Sequence, residues 1–197
     1  MENNFDIGTC REDEVFVDLG AYNGDSTFSF IENFGNYKRI YCYEMAASSM
    51  EKIKQKLASF DNIIYRQAAA GNKIDMICMT ESDIDSCHTI MPRKGRDAAE
   101  HNQVWVPMVR LDDDIQEAIT FLKMDIEESE LEAMKGAKRH IREDKPKLAI
   151  CSYHNNHHIY EIPRLMREYN PQYKLYMRYN GDMNDSLASE YVTFAIP

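Results

Sequence analysis

Four polar residues end short apolar runs of this chain, and their types suit chemistry on a bound ligand: Asp18, Glu44, Asp125 and His154. The runs, residues 14–19, 39–44, 120–125 and 147–154, are rich in β-branched and aromatic side chains and read as buried parallel strands. In an open α/β sheet, ligands bind beyond the C-terminal strand ends, where the strand order reverses. A carboxylate at the tip of the second strand, Glu44, suits the two hydroxyls of a ribose. Histidine has a pKa near neutrality and suits proton removal, and a neighbouring carboxylate raises that pKa and fixes the tautomer. Adjacent strands lie about 4.8 Å apart, so Asp125 and His154 can converge on one hydroxyl.

The loop after the first strand supplies the next element of a ligand site. Asp18 is followed by Leu19-Gly20-Ala21-Tyr22-Asn23-Gly24-Asp25-Ser26-Thr27. Its two glycines let backbone pass close to a ligand, and Asp25, Ser26 and Thr27 supply N-cap chemistry for a helix to about Phe34. A dinucleotide fingerprint needs three glycines in the order G-x-G-x-x-G, so the missing one disfavours a nicotinamide-dependent enzyme. After the third strand, residues 62–67, the small residues Ala68-Ala69-Ala70-Gly71 offer a flat backbone for an adenine ring.

The remaining chain must position these groups. Residues 46–60 form a helix with Met50, Ile53 and Leu57 on one face. Residues 74–80 and 104–111 read as strands, the second an edge because of Pro107. Between them, residues 82–101 read as a long loop of the kind that is often functional. Asp112-Asp113-Asp114 caps a short helix and faces water. A helix over 127–143 turns Leu131, Met134, Ala137 and Ile141 inward and stops at Lys145-Pro146. Glu127 in its first turn complements the helix dipole. A helix over 159–169 carries Pro163, which fits best in a first turn. Two final strands, 173–179 and 191–196, flank the Asn180-Gly181-Asp182 turn as an antiparallel pair. The expected fold is therefore α/β: a Rossmann-like, doubly wound, mostly parallel sheet of about seven strands, closed by that pair. Residues 1–13 read as a lead-in, and 14–197 as a single domain.

Composition limits the partners. The chain has 197 residues, 44% of them hydrophobic, and a net charge of -10. Without a dense Lys/Arg cluster, nucleic acid and anionic membrane are not expected partners. No apolar run is long enough to span a bilayer, and the polar, acidic start does not read as a signal peptide. Five cysteines at irregular spacing fit no zinc pattern. Cys42, Cys78 and Cys151 read as core residues of a reduced, cytoplasmic protein, whereas Cys10 and Cys87 lie outside such runs.

The loop at Asp18 resembles motif I of class I methyltransferases, which bind S-adenosylmethionine (SAM), and the chain as a whole resembles the FkbM-type methyltransferases. Three blocks carry the likeness: residues 17–25, Leu111-Asp112-Asp113, and residues 121–132 continuing into Lys135-Gly136-Ala137 and Lys145-Pro146. It extends from about Glu14 through Tyr160. Two positions depart from the family pattern: Glu44-Met45 stands where Glu-Pro is common, and Glu128 where glycine is usual. Glycine holds φ > 0 cheaply and glutamate does not, so Glu128 bears on the loop over the acceptor. Family members also often carry more chain ahead of motif I.

The resemblance implies SAM-dependent methylation of a hydroxyl oxygen, on a sugar or another small-molecule or glycan acceptor. A second reading is a non-catalytic SAM-binding or scaffold protein of the same fold. Residues and resemblance together assign cofactor contacts to Asp18, Gly20, Ala21, Tyr22, Asn23, Gly24, Asp25, Ser26, Glu44, Met45, Gln67, Ala68 and Asp125. Catalytic roles fall to His154, Asp125 and Glu130, with Glu130 turned toward the site by the resemblance. No metal ligand set is evident from spacing, although Asp125 and Glu130 are an alternative divalent-metal pair. A homodimer is compatible with the sequence, and acceptor identity is not legible in it.

Overall fold

The computed structural model describes residues 13–80, 103–179 and 191–197. Residues 1–12 of the lead-in, with Cys10, the loop at 82–101, with Cys87, and the Asn180-Gly181-Asp182 turn lie outside these residues. A seven-stranded sheet forms from β1 (Val15–Leu19), β2 (Arg39–Tyr43), β3 (Ile63–Arg66), β7 (Phe121–Met124), β8 (Lys147–Cys151), β9 (Lys174–Tyr179) and β10 (Tyr191–Ile196). Its order is β3-β2-β1-β7-β8-β10-β9. The first five strands run parallel, and β10 pairs antiparallel with both β8 and β9. Chain order reverses between β1 and β7, so the switch point lies at the tips carrying Gly20 and Asp125.

Alternation along each strand explains why helices cover both faces. Val15, Val17 and Leu19 of β1 join a core with Leu122, Met124, Leu148 and Ile150. That face is covered by α4 (Glu130–Gly136), α5 (Lys138–Glu143) and α6 (His158–Tyr169) through Ala133, Met134, Ile141, Ile162 and Met166. Phe16, between them, points to the other face with Ile40, Phe121 and Ala149. There it meets α1 (Asp25–Phe34) and α2 (Ala47–Lys56), which contribute Phe30, Ile31, Met50 and Ile53. The Phe16 and Phe30 rings stack at 4.2 Å.

Five expectations change. The strand at 104–111 is not an edge: β6 (Gln103–Val109) is the middle of a separate three-stranded sheet, between β4 (Ala69–Ala70) and β5 (Asp75–Thr80). Among the described residues β4 pairs only with Met108 and Val109, so at Pro107 that flank carries no ladder bond to lose. The helix expected over 127–143 starts at Glu130 and breaks at Ala137. Gly136 packs so closely on Gly71 that a Cβ would overlap the Gly71 carbonyl oxygen. Just beyond the break, the Asp112 carboxylate accepts the N–H groups of Arg139 and His140. In the short helix α3 (Leu111–Asp114), Asp112 and Asp114 are therefore tied into the fold rather than facing water, Asp114 accepting the Tyr43 hydroxyl, whereas Asp113 is exposed. Pro163 lies inside α6 rather than in its first turn. Cys42 and Cys151 are buried, but Cys78 on the small sheet is only partly so.

Candidate functional site

A cleft of about 260 Å³ opens at the C-terminal strand ends, on both sides of the switch point. Leu19, Gly20 and Tyr22 line it from the β1 loop, and Tyr43, Glu44 and Met45 from the end of β2. Ala68, Ala69 and Ala70 form a buried, small-residue wall. Asp125, Ile126, Glu127, Ser129 and Tyr153 close the other end.

Glu44 is buried and holds the loop that faces it. Its Oε2 accepts the Tyr22 N–H at 3.0 Å and its Oε1 the Ala46 N–H at 2.9 Å. Each carboxylate oxygen has capacity for a second donor, so two ribose hydroxyls fit without displacing either backbone bond. The Tyr22 contact fixes a residue with φ 50, a conformation uncommon outside glycine.

Gly20 has φ 76, and its open side faces protein rather than ligand. A Cβ there would overlap the carbonyl oxygen of Asp125, so glycine is what lets the β1 and β7 tips close together. Below them, Asp18 is fully buried and outside the cleft lining. It pairs in register with Lys123, whose Nζ lies 3.0 Å from Asp18 Oδ1 and donates to the Gly20 carbonyl at 3.1 Å. The Ser26 and Thr27 hydroxyls also donate to Asp18 Oδ2. They brace the loop from beneath and do not cap α1. That helix has Gly24 at its N-cap, and the Asn23 side chain accepts the Asp25 N–H. Ala21, Asn23, Gly24, Asp25, Ser26 and Gln67 likewise lie outside the lining.

The other end of the cleft is backed by a carboxylate–imidazole cluster, of which Asp125 and Glu127 line the cleft while His154 and Glu130 lie behind the lining. β8 ends at Cys151, so His154 sits in the following loop rather than on the strand tip. His154 Nδ1 is 2.8 Å from Glu130 Oε1, and its Nε2 lies 3.4 Å from Asp125 Oδ1 and 3.6 Å from Glu127 Oε1. The His154 side chain is only 4% exposed, and Nε2 has no hydrogen-bond partner. Glu130 is fully buried; its Oε1 also accepts the Ile126 N–H, and its Oε2 lies 3.3 Å from His158 Nδ1. Tyr153 donates its hydroxyl to Asp125 Oδ1 at 3.2 Å.

Burial works against a charge on His154, but the hydrogen bond its Nδ1 donates to Glu130 and the charges of Glu130, Asp125 and Glu127 outweigh it and raise its pKa. Burial likewise opposes ionisation of Glu130; the hydrogen bond from His154, the close approach of His158, the His154 charge and the Ile126 N–H overcome it and draw its pKa down to about 2. Glu130 thus orients the ring through Nδ1 and leaves Nε2 toward the two cleft carboxylates. No group of three or more His, Cys, Asp or Glu side chains among the described residues is set to hold a metal ion.

Sequence reasoning passed over Tyr153, His158 and the bracing role of Lys123, and gave Glu127 a helix-dipole role rather than a place in the cleft lining. A lysine inside an apolar strand was a usable signal for Lys123, because a buried cation needs a partner. Glu127 and Glu128 do not belong to the helix at all: both are left-handed, with φ 50 and 73.

Residues 18–174 match the family described as the methyltransferase FkbM domain. The chain is similar to the crystal structure of methyltransferase FkbM from Methylobacillus flagellatus KT, with 25% identity and a TM-score of 0.76 over 98% of this chain and 46% of that one. It therefore spans about half the length of that relative. Fibrillarin from Aeropyrum pernix, solved with natively bound SAM, is 12% identical with a TM-score of 0.57, over 99% of this chain and 71% of its own. SMU.1697c from Streptococcus mutans, solved in complex with SAH, is 12% identical with a TM-score of 0.55, over 93% and 89%. These last two likenesses show the fold. No curated protein matches the chain. No helix among the described residues is long and apolar enough to cross a membrane.

Proposed function

The chain belongs to the FkbM methyltransferase family, and on that premise we propose that it is a SAM-dependent O-methyltransferase acting on a hydroxyl of a sugar or another small-molecule or glycan acceptor. The observation that carries the reading is one cleft with Glu44 at one end and Asp125 and Glu127 at the other, their carboxylates facing the buried Glu130–His154 pair behind the lining. SAM, when bound, supplies a methyl group on a sulfonium, which leaves by in-line displacement.

The chain's own residues do the rest. Glu44 holds the ribose hydroxyls, and the wall at Ala68, Ala69 and Ala70 takes the adenine. Glu130 keeps His154 in one orientation, so that Nε2 receives the acceptor proton as the oxygen attacks. Asp125, with its Oδ1 held by Tyr153, faces the resulting imidazolium and favours it. Because His154 must be neutral to act as base, turnover rises with pH through a value above 6.5, the ordinary histidine value.

The test is methyl transfer from labelled SAM to a panel of sugars and hydroxylated small molecules, with binding followed by calorimetry. His154→Ala should keep SAM affinity and lower turnover by about 10²–10⁴, the range for loss of a general base. Unchanged turnover in that variant removes His154 from the mechanism.

A further inference from the structure

The acidic end of the cleft is charged beyond what base chemistry needs. Asp125 and Glu127 both line it, and both direct a carboxylate oxygen at His154 Nε2, at 3.4 and 3.6 Å. The nearby cations are otherwise committed. Lys123 is buried against Asp18, and Glu130 is matched by His154 and His158. Among the described residues, His154 is the one cationic side chain within 4.0 Å of Glu127. The Glu127 side chain is 48% exposed and the Nε2 it faces is buried and without a hydrogen-bond partner. The carboxylate thus sits between the cleft and a buried polar atom behind it.

Building on the cofactor reading above, we propose that Glu127, together with Asp125, is a specificity-determining residue that reads the charge on the ligand's sulfur, favouring the sulfonium donor over its neutral thioether product. A sulfonium is a fixed cation with no N–H or O–H to donate, so Coulomb attraction to nearby carboxylates is the main way a site can recognise it. SAM and SAH share every hydrogen-bonding group, and differ in the methyl and that charge. A carboxylate at this end therefore separates them, whereas the ribose contacts at Glu44 treat them alike. After transfer the product loses the attraction, which favours its exchange for fresh donor. Burial and the neighbouring Asp125, Glu130 and Glu128 charges raise the Glu127 pKa, partly offset by His154, as expected of a carboxylate whose cation is not fully supplied by protein.

Calorimetric titration of SAM and of SAH into the wild type, Glu127→Gln and Glu128→Gln tests this. Glutamine is isosteric and leaves the left-handed backbone at 127 no more strained than glutamate does. In Glu127→Gln, SAM affinity should fall about tenfold while SAH affinity stays within about twofold. Glu128 is exposed and outside the cleft lining; Glu128→Gln should leave both affinities unchanged. An equal loss for the two ligands in Glu127→Gln, or no loss for either, overturns the charge-reading role while leaving the cofactor reading intact. A wild-type chain that binds neither ligand overturns the cofactor reading, and this proposal with it.

Discussion

Glu130→Gln removes one charge from a fully buried side chain and keeps its volume. In the native protein, burial pushes the Glu130 carboxyl pKa up, but contacts from His154, His158 and the Ile126 N–H win and draw it from 4.5 to about 2. At about 1.4 kcal/mol per pH unit, that preference for the ionised form is worth ~3 kcal/mol of folding stability. A depressed carboxyl pKa contributes stability that is present above the unfolded value, 4.5, and is lost as pH falls toward about 2. His154 reports the same interaction from the other side, so its energy is not counted again. Its raised pKa contributes stability that is complete below 6.5 and lost as pH climbs through the folded value.

The pair therefore stabilises the fold most between about pH 4.5 and 6.5 and less on either side. Urea denaturation of wild type and Glu130→Gln should show a difference of ~3 kcal/mol at about pH 5.5, shrinking toward about pH 3 and about pH 9. The same variant should move the acidic limb of the turnover profile to lower pH, because His154 loses the charge that raises its pKa. A stability difference below about 1 kcal/mol, or one that is flat with pH, would refute the coupling of Glu130 to His154.

Two further outcomes concern Glu44, at the other end of the cleft, and the Asp18–Lys123 pair beneath the β1 loop. Glu44→Gln should weaken SAM binding by roughly tenfold to a hundredfold, since charge-assisted bonds are worth about 1.5–3 kcal/mol and the amide nitrogen also faces a backbone N–H it cannot accept; calorimetry giving wild-type affinity would leave Glu44 as a loop brace alone. Lys123→Met strands the fully buried Asp18 carboxylate and should cost about 3–5 kcal/mol in urea denaturation, most of it regained in Lys123→Met/Asp18→Leu, and a single variant as stable as wild type would mean that the pair does not hold the loop.

Much of the fold was legible because its signals are local. Five parallel strands, the helices behind them and the closing antiparallel pair all announce themselves as apolar runs between turn residues. What failed depended on distant partners. The period set by Leu131, Met134, Ala137 and Ile141 runs unbroken across Ala137, so nothing local reveals the break. Its causes, the Gly71 carbonyl against Gly136 and the Asp112 carboxylate on Arg139 and His140, come from residues well upstream in the chain. Pro107 reads as an edge marker by a sound rule, and a two-residue β4 is too short to predict as the strand on its other side.

The site shows the same division more sharply. Carboxylates at strand ends identify Glu44 and Asp125, because composition and position suffice. The turn that follows Asp125 does not read from the chain: two successive glutamates carry no signature of left-handed backbone, and the glycine usual at position 128 in the resembling family was the one hint. Gly20 makes the point from the opposite direction. Its presence was legible, but the expected reason, room for a ligand, is not the one the geometry gives. The space a side chain would need is taken by the Asp125 carbonyl, while the Asp125 N–H bonds the Leu19 carbonyl at 3.0 Å. The glycine thus acts on the ligand at one remove. By letting the β1 and β7 tips close, it sets where Asp125 and Glu127 stand between the cleft and His154 Nε2.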